Sequence, residues 1–194
     1  MPLDQATGTL QDTAALWSID AVSPQAVVGC ACDALIAGLD SPSLRILAGL
    51  TRAEADYQVL DILPAALAEL GLDFYPRGSC SGQEAAIRAL AAQAVSGSLT
   101  PRELAAAIHR HFGHGLPLTE RLAALDDEYD LGEYATMTHE QVDREVIAEA
   151  RGSHTANLTS GPRKTTSNQP VNPVGTVPRN AQSGDQRARL HHRT

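Results

Sequence analysis

The chain carries signals for the start of α-helices at short intervals. Three Ser/Thr-Pro pairs, beginning at Ser23, Ser41 and Thr100, place a capping side chain directly before a proline. Proline is favoured at the first helical position, where its missing N–H has no helical partner to lose. Thr51 and Thr138 each precede Glu or Gln by three residues, which is the spacing of a capping box. These signals predict a series of short, separately capped helices.

Glycines predict where several of these helices end, at Gly38, Gly49, Gly71, Gly113 and Gly152. Between starts and stops, apolar residues recur three or four positions apart, as on one face of a helix. The first such stripe comprises Val27, Val28, Ala31, Cys32, Leu35, Ile36 and Leu39.

Three local features qualify this pattern. Pro64 lies inside a long helical segment and is expected to kink or split it near Leu63. Ser81, three residues before Glu84, predicts the start of the helix that follows. Residues 16–22 are the only short strand candidate, and their alternation is poor.

The sequence therefore predicts an all-α fold, a compact bundle of six to seven short helices in an acidic domain at residues 23–152. Residues 1–22 are expected to form an N-terminal arm with a short helix or an irregular segment. A basic tail is predicted for residues 153–194.

Charge separates the tail from the rest of the chain. Residues 1–152 contain 22 acids and nine arginines, net −13, whereas residues 153–194 have a net charge of +5. The tail has four prolines, no aromatic residue and few aliphatic ones. Because it cannot bury enough apolar surface to offset its ordering entropy, we expect it to be disordered.

Several compositional features bear on location. The N-terminus has no basic and apolar leader, and no apolar stretch approaches the ~20 residues of a membrane span. Three cysteines, Cys30, Cys32 and Cys80, favour free thiols in a reducing compartment. We therefore predict a cytoplasmic protein with no membrane contact. The excess of arginine over a single lysine suggests a GC-rich bacterial genome.

His109, His111 and His114 lie close together in the segment HRHFGHG. On one helix, His109 and His111 diverge by about 200°, so they cannot both face one ion. The spacing matches no zinc-protease or zinc-finger pattern. Structural or capping histidines are the favoured interpretation, so no metal site is predicted; a metal site and acid–base catalysis remain weaker alternatives for these three residues.

An acidic run with two tyrosines predicts a surface for a basic or mixed-charge protein partner. Its residues do not have the layout of a calcium-binding EF-hand loop. Aromatic side chains beside acids suit the anchors and polar rim of an interface. The predicted partner-binding residues are Asp126, Asp127, Glu128, Tyr129, Asp130, Glu133 and Tyr134.

Other site types have less support. Cys80 near Arg77 is expected to be an ordinary loop cysteine; a catalytic role would need His109 or His114 within hydrogen-bonding distance. Residues 100–125 have the outline of a helix-turn-helix, but the acidic second helix would be repelled by DNA phosphates. Nucleic acid is therefore expected at most in weak contact with the basic tail.

We predict a non-catalytic protein-binding module, a small acidic helical adaptor comparable in size and charge to immunity proteins or antitoxins. It would need no cofactor and no catalytic residue. The alternative is a metal-dependent enzyme using His109, His111 or His114 with nearby carboxylates. A nucleic-acid-associated regulator acting through its basic tail is a weaker alternative.

Overall fold

Helices account for nearly all of the regular structure in the computed structural model, which describes residues 1–117 and 119–155. Only the backbone of Glu133, His154 and Thr155 is described. No strand occurs among the described residues, so the all-α prediction is confirmed, with α1 added to the predicted six or seven helices. The predicted tail lies outside the described residues from position 156 onward.

The described helices are α1 (Leu3–Ser18), α2 (Pro24–Ile36), α3 (Pro42–Ala48), α4 (Arg52–Glu69), α5 (Cys80–Val95), α6 (Pro101–Phe112), α7 (Glu120–Asp130), a 3₁₀ turn (Gly132–Tyr134) and α8 (His139–Thr155).

Local capping accounts for most of the helix starts. The hydroxyls of Ser23, Ser41 and Thr100 accept hydrogen bonds from backbone N–H groups three residues later, as their Ser/Thr-Pro pairs predict. Thr51 and Glu54 form a reciprocal capping box at the start of α4. The predicted helix starts are therefore confirmed at each of these positions.

Two local predictions were wrong, the expected split at Pro64 does not occur, and the weak strand candidate is not a strand. Ser79 rather than Ser81 caps α5, since its hydroxyl accepts the N–H of Gly82 at 3.1 Å. Pro64 does not split α4, which runs unbroken past it. The strand candidate at residues 16–22 is instead the end of α1 and the turn after it. Helix α8 continues through Gly152 and ends at Thr155.

Two groups of buried side chains form the core. The first group has members on helices α1, α2, α3 and α4, including Leu10, Trp17, Val27, Leu44 and Leu63. The second group has members on helices α5, α6, α7 and α8 together with Leu16 of α1, and it includes Leu90, Ile108, Leu122, Val142 and Val146. Adjacent residues of α1, Leu16 and Trp17, belong to different groups, so α1 bridges them.

Helix α1 is thus a full part of the core. It spans 16 residues and packs against both α2 and α5. Its buried residues include three alanines beside Leu10, Leu16 and Trp17, and alanine is a weak apolar signal in a sequence. Small residues let neighbouring helices approach closely, so α1 is more deeply buried than its small side chains suggest.

Candidate functional site

Two histidines and two carboxylates meet where α6 turns into α7. His109 lies in the last turn of α6, and His114 follows Gly113. Gly113 has a φ of +56°, a left-handed conformation that allows the chain to reverse directly after the helix. The reversal brings His114 beside α7, which carries Asp126 and Asp127. We call these four residues the His/Asp cluster.

The polar atoms of the cluster lie within a few ångströms of one another. His109 Nδ1 is 3.0 Å from Asp126 Oδ2 and 3.7 Å from Asp127 Oδ1. His114 Nε2 is 3.3 Å from Asp127 Oδ2, and the two imidazole rings are 5.0 Å apart, edge to face. His109, His114 and Asp127 each offer one possible metal-ligand atom, and these three atoms lie within 4.8 Å of one another.

Exposure varies across the cluster. The side chain of Asp126 is 17% exposed, whereas that of Asp127 is 53% exposed. A shallow depression lined by Ala106, His109, Arg110 and Asp126 opens beside it. The cluster therefore has an inner carboxylate in contact with α6 and an outer carboxylate that solvent reaches.

A further carboxylate holds His114 from its other side. His114 Nδ1 lies 3.2 Å from Glu120 Oε1, in the first turn of α7. His114 therefore has a carboxylate at each ring nitrogen, Glu120 at one and Asp127 at the other.

His111 does not join this cluster. Its ring lies beside that of Phe112, with centroids 6.4 Å apart. The predicted divergence of His109 and His111 on one helix agrees with this arrangement. Nearby carboxylates were expected beside the histidines in the metal-site alternative, but Glu120 was missed, because the sequence gives no direct sign of which acids α7 turns toward α6.

The acids predicted to form one partner-binding surface are distributed around α7. Asp126 and Asp127 contact the histidines, and Glu128 accepts hydrogen bonds from the N–H and hydroxyl of Thr136 at 3.0 and 2.9 Å. The side chain of Asp130 is 77% exposed and lies 3.6 Å from Arg102. Most of these acids therefore have partners within the chain.

The two tyrosines of that predicted surface differ sharply in their exposure to solvent. Tyr134 is 78% exposed, but Tyr129 is only 5% exposed and belongs to the second core group. The Tyr129 hydroxyl donates to Asp143 on α8; burial, reinforced by this carboxylate, raises the pKa of Tyr129. Tyr129 is therefore not available as an exposed anchor, because its ring fills the space between α7 and α8. Glu133 lies in the 3₁₀ turn.

The cysteines show no catalytic arrangement. Cys80 is exposed at the first residue of α5, and no hydrogen bond joins it to a histidine among the described residues. Nearby Arg77 pairs with Asp20 and lies 4.5 Å from the ring centre of Trp17. Burial raises the pKa of the Cys30 thiol, and the thiol of Cys32 contacts the carbonyl of Ala48 at 3.3 Å.

A second surface feature is the outer face of α4. Tyr57 is 80% exposed and Leu60 is 53% exposed, although both lie within one helix whose opposite face is buried. Ala53 and Ala68 are exposed, and Pro64 is partly exposed, at positions that continue the same stripe. We call these five residues the α4 outer stripe.

Sequence reasoning missed this stripe, although the signal was present. Apolar residues occupy a second side of α4 away from its buried residues, whereas an amphipathic helix is expected to bury a single apolar stripe. Among the described helices, α4 packs mainly against α2 and α3, both on its inner face. Its outer face is left to solvent.

The chain was compared with known proteins, and no family model, curated protein or solved structure matches it. Among the described residues, none of the helices combines the length and apolar character needed to cross a membrane.

Proposed function

We propose that this chain is a non-catalytic binding module that docks a partner protein on the α4 outer stripe. The observation that supports this proposal is the exposure of Tyr57 and Leu60, one helical turn apart on the outer face of α4. Tyrosine is enriched among the residues that dominate binding energy at interfaces, and contiguous exposed apolar surface is typical of docking sites.

The charges around the stripe suggest the chemistry of the partner. By helical geometry, Glu54 and Asp61 border one edge of the stripe, and Asp56 borders the other. All three are exposed. The complementary surface is an amphipathic helix with an apolar face and lysine or arginine at its margins, so that charge speeds association while apolar burial gives affinity.

The acidic run of α7 remains a second candidate surface for the same function. Its strongly exposed members are Asp130 and Tyr134. It supports docking less well than the α4 outer stripe, because Tyr129 is buried and leaves Tyr134 as its one exposed tyrosine.

Site-specific photo-crosslinking in the native host tests the proposal. A photoreactive phenylalanine at Tyr57 should give a discrete crosslinked protein, and the same probe at exposed Glu84 on α5 should not. With the partner identified, Tyr57→Ala should weaken binding at least about tenfold. The stability of the variant should change by less than about 0.5 kcal/mol, because Tyr57 is exposed.

Two outcomes would contradict the proposal. One is equal crosslinking from positions 57 and 84, which indicates contact without a preferred face. The other is full binding by a folded Leu60→Glu variant, since a buried carboxylate at the centre of the stripe would oppose docking. Light scattering of the purified chain measures its molar mass. A dimer would identify the partner as a second copy of the protein, and a monomer would indicate a different partner.

A further inference from the structure

The His/Asp cluster has a geometry that internal hydrogen bonding alone does not complete. His114 Nδ1 lies 3.2 Å from Glu120 Oε1, and His114 Nε2 lies 3.3 Å from Asp127 Oδ2. A neutral imidazole carries one N–H and can donate it to only one of these two carboxylates. A metal ion bound between Nε2 and Asp127 would leave that N–H for Glu120.

We propose that a single divalent transition-metal ion of the zinc type binds between His109, His114 and Asp127. This binding site is independent of the proposed docking function. Its three ligands come from the end of α6, the following turn and α7, so binding would join consecutive elements of the fold.

The spacing of the donor atoms supports this assignment. Zinc lies ~2.0–2.2 Å from nitrogen and oxygen ligands, so the donors of a tetrahedral site are separated by about 3.3–3.6 Å. His114 Nε2 and Asp127 Oδ2 are 3.3 Å apart, and His109 Nδ1 and Asp127 Oδ1 are 3.7 Å apart. These two distances run to different oxygens of Asp127, and one donor atom from each residue lies within 4.8 Å of the others, so binding would draw the three side chains together.

The ligand types point to zinc-like ions over magnesium or calcium. Two imidazoles and a carboxylate suit zinc, nickel, cobalt and copper, whereas magnesium and calcium prefer oxygen ligands. Asp126 lies outside this group of three, and its Oδ2 is 3.0 Å from His109 Nδ1.

Glu120 has the position of a supporting residue. Histidines that bind metals usually donate their other ring N–H to a carboxylate, which fixes the orientation and tautomer of the ring. The 3.2 Å contact between His114 Nδ1 and Glu120 is of this kind. Loss of such a partner typically weakens metal binding by ~10–100-fold, so Glu120→Gln should have a graded effect.

Titration of the untagged full-length chain with Zn²⁺ against a chromophoric chelator tests the site. We expect one ion per chain. His114→Ala and Asp127→Asn should each weaken binding by more than the ~10–100-fold expected of a supporting residue. Their side chains are 45% and 53% exposed, so both variants should fold. Co²⁺ should give the intense visible absorption of a tetrahedral site, and His114→Ala should abolish it.

Two control variants make the test specific. His111→Ala removes a histidine of the same helix that lies outside the cluster, and it should leave the affinity unchanged. The double variant His191→Ala/His192→Ala removes the histidine pair near the C-terminus and should also bind normally. Absence of one-to-one binding, equal loss in His111→Ala, or loss only in the double variant would overturn the proposal.

Discussion

At the scale of single residues, the closest packing in α5 depends on a residue with no side chain. Gly82 is buried inside that helix. A Cβ at this position would lie 2.6 Å from Ser18 Oγ and 3.2 Å from Tyr75 Cβ. Glycine weakens a helix interior, so its presence here is explained by the approach of α1 and of the loop before α5.

Gly82→Ala should therefore lower the free energy of unfolding by about 1–3 kcal/mol, because overpacking outweighs the gain in helix propensity. Gly29→Ala in α2 is the matched control, since nothing lies within 4 Å of a Cβ there. The control should raise stability by about 0.5–1 kcal/mol. Urea unfolding followed by circular dichroism measures both; a stabilising Gly82→Ala would show that the close approach is not rigid.

At the scale of the helix, the capping boxes couple helix starts to pH. Hydrogen bonds from the Thr51 hydroxyl and backbone hold the pKa of Glu54 below its ordinary value of 4.5. Thr100 lowers the pKa of Glu103 in the same way at the start of α6. In each case the ionised carboxylate is the form that the folded state favours.

A carboxylate whose pKa is lower in the folded state stabilises the protein at pH values above its unfolded pKa. That stabilisation is lost as the pH falls through the folded pKa. The melting temperature should therefore decrease as the pH is lowered from about 4.5, through protonation of both carboxylates. The double variant Glu54→Gln/Glu103→Gln should have a flatter profile over that range. Thermal melts from pH 6 to pH 2.5 provide the measurement, and parallel profiles for the two proteins would contradict this assignment.

At the scale of the whole described chain, α1 joins two groups of buried side chains. Leu10 and Trp17 pack with α2 to α4, whereas Leu16 packs with α5 to α8. Because both groups pack on the same helix, loss of structure in one group removes contacts that hold that helix against the other. We therefore expect the two groups to unfold together.

Leu63→Ala tests this coupling, because Leu63 is fully buried in the first group. The substitution should destabilise the protein by ~2–5 kcal/mol. Hydrogen exchange should then become faster in both α4 and α8, although α8 belongs to the other group. Leu60→Ala, an exposed neighbour, is the control and should change neither. Faster exchange confined to α1 to α4 would mean that the two groups unfold separately.

The amino-acid sequence by itself determined where most helices begin and end. A capping hydroxyl and its N–H partner are three residues apart, as at Ser23, Ser41 and Thr100, so the interaction is complete within one turn. The fold class follows from these local signals. The error at α5 arose because Ser79 and Ser81 are both plausible caps; in the fold the hydroxyl of Ser79 accepts the N–H of Gly82.

Only the tertiary structure decided which faces are buried. Ile36 fits the apolar stripe of α2 but is 84% exposed at its end, whereas Tyr129 is buried despite neighbouring acids. The His/Asp cluster and the α4 outer stripe also depend on which helices lie beside which. Helical periodicity shows that residues share a face, but it does not show what that face meets; packing between elements distant in sequence settles that.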